Sequence, residues 1–303
     1  MTATTVVAGA APATDQVPAN GNAPSRTNNI ASQDFVHGQL NLEFSDDYLT
    51  SRGILLQNRG LVTQQYLRLD WNLYPLNRET NRFINEAYLM TALWNDVDTV
   101  PGGVDPGSWN EIDFIAGPGA KLFDDWTLES PIFAFKSETG SYPTCWAWDP
   151  RLTYHDHFAK NFSLNPYAEF FDELRGKITV VMVPAQSQSS YYGVLGLDPT
   201  YVFPTLPLKF ELPSYIIIPA KNFYQRENGS GGGADIALMT TMFKVTVPLG
   251  LIQPSCGKWS VYAGVQYDRL NNPGLLDGNE IAGAAHDRER NLVVFHTGMT
   301  VHF

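Results

Sequence analysis

Val293-Val294-Phe295-His296-Thr297-Gly298-Met299-Thr300-Val301-His302-Phe303 alternates with a period of two. Val293, Phe295, Thr297, Met299, Val301 and Phe303 fall on one side of an extended chain, and His296, Gly298, Thr300 and His302 on the other. Successive side chains of a strand point to opposite faces, so this is a strand with one apolar and one polar or small face. Three further segments repeat the pattern. Val36, Gly38, Leu40, Leu42 and Phe44 oppose His37, Gln39, Asn41, Glu43 and Ser45; Leu67, Leu69, Trp71 and Leu73 oppose Tyr66, Arg68, Asp70 and Asn72. Trp259, Val261, Ala263, Val265 and Tyr267 oppose Ser260, Tyr262, Gly264, Gln266 and Asp268.

Weaker strand-length segments fill the middle: 86–95, 110–116, 126–135, 161–171, 177–183, 191–203, 208–218 and 236–249. Together they predict about twelve strands, and membrane barrels favour even numbers. Pro166, Pro199 and Pro213 fall inside these segments, where the missing N–H predicts bulges or strand ends. Connections at Thr99 to Ser108, Lys221 to Gly233 and Asn271 to Glu289 are long and rich in Gly, Pro, Asn and Asp, whereas Leu249 to Gly257 is shorter. Long loops on one face and short turns on the other are the habit of a membrane barrel. Trp71, Tyr74, Trp259 and Tyr267 near segment ends suit its interfacial girdles.

Composition agrees. Of 303 residues, 44% are hydrophobic and 13% aromatic, and only 17% are charged, below the roughly 25% of soluble domains. No apolar run reaches the roughly 18 residues of a membrane helix, so a membrane-crossing chain of this kind crosses with strands. A net charge of −11 argues against a nucleic-acid partner. Cys145 and Cys256 allow one disulfide or two separate thiols, and neither sits in a zinc-binding spacing. A soluble β-sandwich or lipocalin-like barrel also alternates, with its apolar face inward. Arg68 with Asp70, Lys209 with Glu211, and Gln266 with Asp268 on polar faces, against large aromatics on the apolar ones, favour the membrane arrangement. The predicted fold is therefore all-β: a transmembrane antiparallel up-and-down β-barrel over 34–303, preceded by a signal remnant and flexible extension over 1–33. Val6 to Ala13 reads as the tail of a secretory signal with Ala11-Pro12-Ala13 as its cleavage site, although no Lys or Arg precedes Arg26.

Two stretches resemble known families. His296-x-Gly298-x-x-Val301-x-Phe303 resembles the C-terminal assembly signal of bacterial outer-membrane barrels, which implies recognition of Gly298, Val301 and Phe303 by the barrel-assembly machinery. Ser45-Asp46-Asp47-Tyr48 with Arg52-Gly53 and Gln57, then Tyr88 to Asp98 through Trp94, Asn95 and Val97, and Glu111-x-Asp113-x-x-x-Gly117, is similar to the TorF-type porins of proteobacteria. It departs by an extra residue between Asp46 and Tyr48, by Leu55 and Leu56 in place of small polar residues, and by an unaligned middle. The resemblance implies a porin-like barrel of the bacterial cell outer membrane and leaves its solute open.

No stretch points to catalysis: the chain has no GxSxG elbow and no Ser, His and acid set whose spacing stands out. Tyr154-His155-Asp156-His157 contains metal-ligand types but reads as a polar loop or lumen segment. Asn95 to Asp98 with Asp105 lacks the calcium-loop pattern and reads as loop acidity, and Asn228 to Gly233 lacks the lysine of a phosphate loop and reads as a flexible tip. Arg288 and Arg290 are candidates for lipopolysaccharide phosphates. The expected pore-lining residues are Glu43, Arg68, Asp70, Glu111, Asp113, Lys209, Glu211, Lys244, Gln266 and Asp268. A charge on the lipid face costs roughly 2 to 4 kcal/mol at the midplane, so these belong in the lumen. Their alternative role is a salt-bridged filling across a narrow barrel. The expected function is a porin-like, mildly cation-preferring channel for small polar solutes or ions, needing no cofactor or metal, and a homo-oligomer, trimeric first. The alternative is a non-conducting structural barrel within an outer-membrane assembly. Outer-membrane lipid and lipopolysaccharide are the expected surroundings.

Overall fold

The computed structural model describes residues 35–74, 83–100, 108–123, 125–140, 143–176, 191–226, 228–250, 252–281 and 289–303. The predicted extension over 1–33, the predicted strand over 177–183, and Asp105, His286, Asp287 and Arg288 lie outside them.

Twelve antiparallel staves form one sheet. They are β1 (Val36–Ser45), β2 (Val62–Tyr74), β3 (Ile84–Asp98), β4 (Trp109–Leu122), β5 (Trp126–Glu129 and Ile132–Ser137) and β6 (Cys145–Trp148 and Arg151–Tyr154). After them come β7 (Phe162–Ser163 and Pro166–Arg175), β8 (Tyr191–Leu197 and Thr200–Val202), β9 (Lys209–Glu211 and Ser214–Pro219), β10 (Leu238–Pro248), β11 (Lys258–Leu270) and β12 (Asn291–His302). Each pairs with its sequence neighbour, and β12 returns to β1 with Gln39 opposite His302 through Ser45 opposite His296. Gly38 and Phe303 complete that seam: Gly38 N–H donates to the Phe303 carbonyl at 2.7 Å, and Phe303 N–H returns the bond at 3.0 Å. The Phe303 ring covers the face of Gly38, where a β-carbon would collide with it.

The outward face is apolar, as predicted. Leu67, Phe114, Leu195, Phe243, Val261, Val265, Phe295 and Met299 are exposed, while Tyr66, Arg68, Tyr262 and Asp268 on the alternate positions are buried. Such an exterior, on a sheet without an open edge, is the membrane-spanning solution. Aromatic pairs also sit at one rim. Phe83 meets Phe123 at 5.2 Å and Trp126 meets Tyr154 at 4.9 Å between ring centres, near the end that carries the short turns.

Twelve is the expected number, but its membership differs. β6 was not foreseen, because Cys-Trp-Ala-Trp alternates by size, not polarity: Trp146 and Trp148 face out while Cys145 and Ala147 are buried. The prolines do fall at strand breaks. Pro131, Pro150, Pro199 and Pro213 interrupt β5, β6, β8 and β9, and Pro166 follows Asn165, whose φ is +43°. Proline loses its donor but keeps its acceptor. The carbonyls of Pro118, Pro131, Pro150, Pro199 and Pro213 accept bonds from Ser130, Asp149, Phe170, Leu212 and Met242 on the next stave, at 2.9–3.1 Å. One wall of the barrel is therefore jointed but still paired.

Three further expectations are corrected. Asp96 and Asp98 are not loop residues: β3 runs on to Asp98, and both carboxylates are buried, accepting from the Asn110 side-chain amide. The connection over 271–289 contains a helix, α1 (Pro273–Ile281). Asn272 caps it, accepting from Gly274 N–H at 2.8 Å and Leu275 N–H at 3.3 Å, and Pro273 takes the first-turn position that needs no donor. The glycine run after Asn228 is not a free tip, since a β-carbon at Gly232 would strike the Asn272 side chain. Cys145 and Cys256 do not bond to each other: one is buried where β6 begins, the other exposed in the turn before β11.

Gly298 is packed at its would-be β-carbon by the Leu42 carbonyl at 2.5 Å and the Tyr262 ring at 2.6 Å. Gly298→Val should lower barrel stability by about 1 to 3 kcal/mol through overpacking, read as a lower urea midpoint for the heat-modifiable band on a gel. Gly250→Ala, with nothing within 4 Å, should leave that midpoint in place.

Candidate functional site

Inside the barrel a repeated device places the charges. Tyr262 of β11, Gly298 of β12 and Glu43 of β1 lie in one cross-strand row. The glycine leaves room for the phenol to lie across β12 and donate to Glu43 at 2.7 Å. His296 Nδ1 reaches the same carboxylate at 3.0 Å. The row Tyr88, Gly119, Glu129 across β3, β4 and β5 repeats this, with Tyr88 donating to Glu129 at 2.7 Å. Sequence alternation marks each tyrosine as inward but does not show that a glycine on the neighbouring stave lets it reach a glutamate two staves away.

The other predicted residues are also inward, in separate groups. Arg68 binds Glu129 across the interior and Asp70 on its own strand at 2.9 Å. Glu211 binds Lys209 at 2.8 Å, Lys244 at 3.5 Å and the Thr246 hydroxyl at 2.7 Å. Asp268 accepts from Thr240 at 2.5 Å and Gln266 at 2.8 Å. Glu111 accepts from Tyr48 at 3.1 Å, and Asp113 beside it is fully buried. Much of the polar interior is thus internally paired.

At the end carrying the long loops the lumen is filled by chain. The segment after β1 turns inward, and its Tyr48–Leu49 and Leu55–Gln57 strands form a small separate hairpin. Four bonds from the surroundings grip its tip. Tyr215 donates to the Ser51 carbonyl at 2.9 Å and Tyr224 to that of Arg52 at 2.6 Å. Asn279 of α1 donates to the Gly53 carbonyl at 3.0 Å and accepts from Leu55 N–H at 3.1 Å. Gly53, at φ +79°, makes the turn against Leu238 and Leu275. Arg52 at the tip is fully buried between the rings of Phe135 and Phe171, 5.1 and 5.3 Å away, with Glu173 at 3.8 Å. The Arg52-Gly53 pair quoted above is thus the apex of a plug.

Below the plug lies a cavity of about 250 Å³, bounded by Tyr48 and Ser51 above and reaching His155, Asn165 and Thr200 near the opposite end. Six carboxylates line it (Glu43, Asp47, Asp149, Glu169, Asp198 and Glu211) against one arginine and one lysine, Arg151 and Lys244. Of the predicted pore-lining residues, Glu43, Glu211, Lys244 and Gln266 border this space; Arg68, Asp70, Glu111, Asp113, Lys209 and Asp268 do not. Asp149, Arg151 and Asp198 were missed because they sit beside Pro150 and Pro199, where strand boundaries were least legible; Glu169 lies inside the expected 161–171 segment and was passed over because that segment alternates weakly. His155 lines the cavity and meets the Thr127 hydroxyl at 2.8 Å, whereas His157 is exposed against Asp125.

No protein-family model matches the chain, and no curated protein matches its sequence. Among solved structures it is similar to the COG4313 outer membrane channel from Pseudomonas putida F1, with a TM-score of 0.48 and 12% identity over 88% of this chain and 95% of that one. The NanC porin gives 0.44 and 11% over 86% and 98%. The KdgM porin in complex with disordered oligogalacturonate gives 0.41 and 9% over 88% and 99%.

Asp47, at the root of the plug, titrates in a useful range. Burial, reinforced by Asp46 and Glu289 and opposed by His296, raises its pKa from the ordinary 3.8 to about 6. A raised carboxyl pKa means that the docked plug binds the proton more tightly than the released one. Docking is therefore weakened as pH rises through about 6 and strengthened as it falls towards 3.8. Hydrogen exchange over 48–57, corrected for intrinsic rates, should slow between pH 7.5 and pH 5; Asp47→Asn should remove most of that dependence.

Proposed function

We propose that this chain is a porin-like channel of the bacterial outer membrane, passing small polar solutes or ions by diffusion, with a preference for cations. The observation that carries the reading is the cavity along the lumen, walled by six carboxylates against two permanent cations. A charged, wettable wall lowers the barrier for ions of opposite sign. The resemblance to TorF-type porins in Ser45 to Gln57 and Tyr88 to Asp98 supports the same reading, and membership of that family is part of the proposal. So are the partners: lipid and lipopolysaccharide around the barrel, the assembly machinery at Gly298, Val301 and Phe303, and a homo-oligomer.

In this reading the plug sets how often the path is open. The same plug favours a second reading, a closed structural barrel, since its tip is held from three separate elements. Planar-bilayer recording separates them. Wild type should show infrequent openings with a reversal potential on the cation-selective side in a salt gradient. Asn279→Ala removes two plug bonds, worth about 2 kcal/mol together, and should raise the open fraction roughly 30-fold. A folded barrel silent in both forms would establish the structural role instead.

A further inference from the structure

The carboxylates of the cavity are not equally satisfied. Glu43 has Tyr262 and His296; Glu211 has Lys209 and Lys244; Asp198 has Arg151 at 2.7 Å. Asp149 and Glu169 form no ion pair with a cation among the described residues, although Arg151 faces Glu169 directly across the β6–β7 ladder. The reason is geometric. The Arg151 guanidinium lies 3.6 Å over the Tyr167 ring, with Asp198 and the Thr153 hydroxyl as its polar partners. Tyr167 in turn lies flat because Gly196 beneath it has no side chain. On the plug side, Arg52 is held between two phenyl rings beside Glu173. Both local guanidinium groups are therefore committed elsewhere.

What remains is a corner of the cavity in which the two acid side chains hydrogen-bond to each other, while the second carboxyl oxygen of Asp149, Oδ1, is buried there without a hydrogen-bond donor. A buried acceptor without a donor is costly, and a ligand N–H would satisfy it. Tyr192 stands within electrostatic range of both carboxyls, and with Phe133 it supplies aromatic wall to the same cavity. Aromatic faces attract cations, and the Arg151 stack on Tyr167 shows this wall already holding one. At about 250 Å³ the space is below the usual range for drug-sized ligands and suits a molecule of a few heavy atoms.

We propose that the Asp149/Glu169 corner is a binding site for a small primary ammonium compound. Its N–H groups would reach the two carboxyls, and its alkyl part would lie against the tyrosine and phenylalanine rings. The site deepens the channel reading and rests on it only for its meaning as a station along a solute path; the binding chemistry is local.

The test is calorimetric titration of the full-length barrel, purified and folded in detergent, with n-butylammonium at constant ionic strength. n-Butanol and tetramethylammonium serve as comparison ligands. Saturable butylammonium binding is expected, with no binding of butanol and weaker binding of tetramethylammonium, which has no N–H to give Asp149. Asp149→Asn and Glu169→Gln, measured separately so that failure of one to fold does not remove the test, should each weaken binding roughly tenfold or more. Equal affinity in folded variants, equal binding of butanol, or no saturable binding to wild type would overturn the site. Conductance recorded on the same preparations keeps the two readings apart. Binding without conductance retains the site and removes the channel; conductance without binding removes the site alone.

Discussion

A bilayer core offers no hydrogen-bond partner, so every strand N–H and C=O that enters it must find one on a neighbouring strand. The seam between β12 and β1 meets this requirement, and the rest of the architecture follows from it. At its rim the paired bonds of Gly38 and Phe303 complete the ladder, with the phenyl ring over the glycine. The proline joints on the opposite wall obey the same constraint. Each gives up a donor, yet five proline carbonyls remain bonded to the next stave.

Closure with an apolar exterior forces the polar residues inward, and twelve staves enclose a space that is neither too narrow for water nor wide enough to leave every charge hydrated. Charges in such a space are stabilised by pairing, and pairing needs reach. Tyrosines that cross a neighbouring stave at a glycine supply it at Glu43 and Glu129. Glycine here is a matter of clearance: a β-carbon at Gly119 or Gly298 would occupy the position of the phenol. The interior is thus partly a salt-bridged filling and partly a cavity, and the two alternatives weighed for the lumen charges coexist at different places in one barrel.

The plug gives the barrel its asymmetry. Three connections on the same end fold over the lumen, and the bonds that hold the plug join residues far apart in sequence, such as Tyr224 with Arg52 and Asn279 with Gly53. Arg52, buried with two rings and a carboxylate at 3.8 Å, is held in a costly environment for a charge. A segment that carries such a residue is a natural candidate for movement, whereas the staves around it are not.

Local alternation separated the two faces of each strand, because side-chain direction depends only on parity; the charged pairs on one face and the large aromatics on the other then pointed to the membrane barrel with its apolar face outward, and the missing N–H of Pro166, Pro199 and Pro213 to the breaks there. Parity also misses what it cannot weigh. The first half of β6 alternates tryptophan with small residues and shows no polar face, and the Asn272-Pro273 start of α1 is a local helix signal hidden in a loop-like composition. Only the tertiary structure decided that Ser45 to Gln57 turns into the lumen, that Arg151 spends its charge on Asp198 and Tyr167, and that Asp149 and Glu169 are left facing the cavity. Those outcomes depend on which distant residues meet across the barrel, and register and closure, not sequence periodicity, set those meetings.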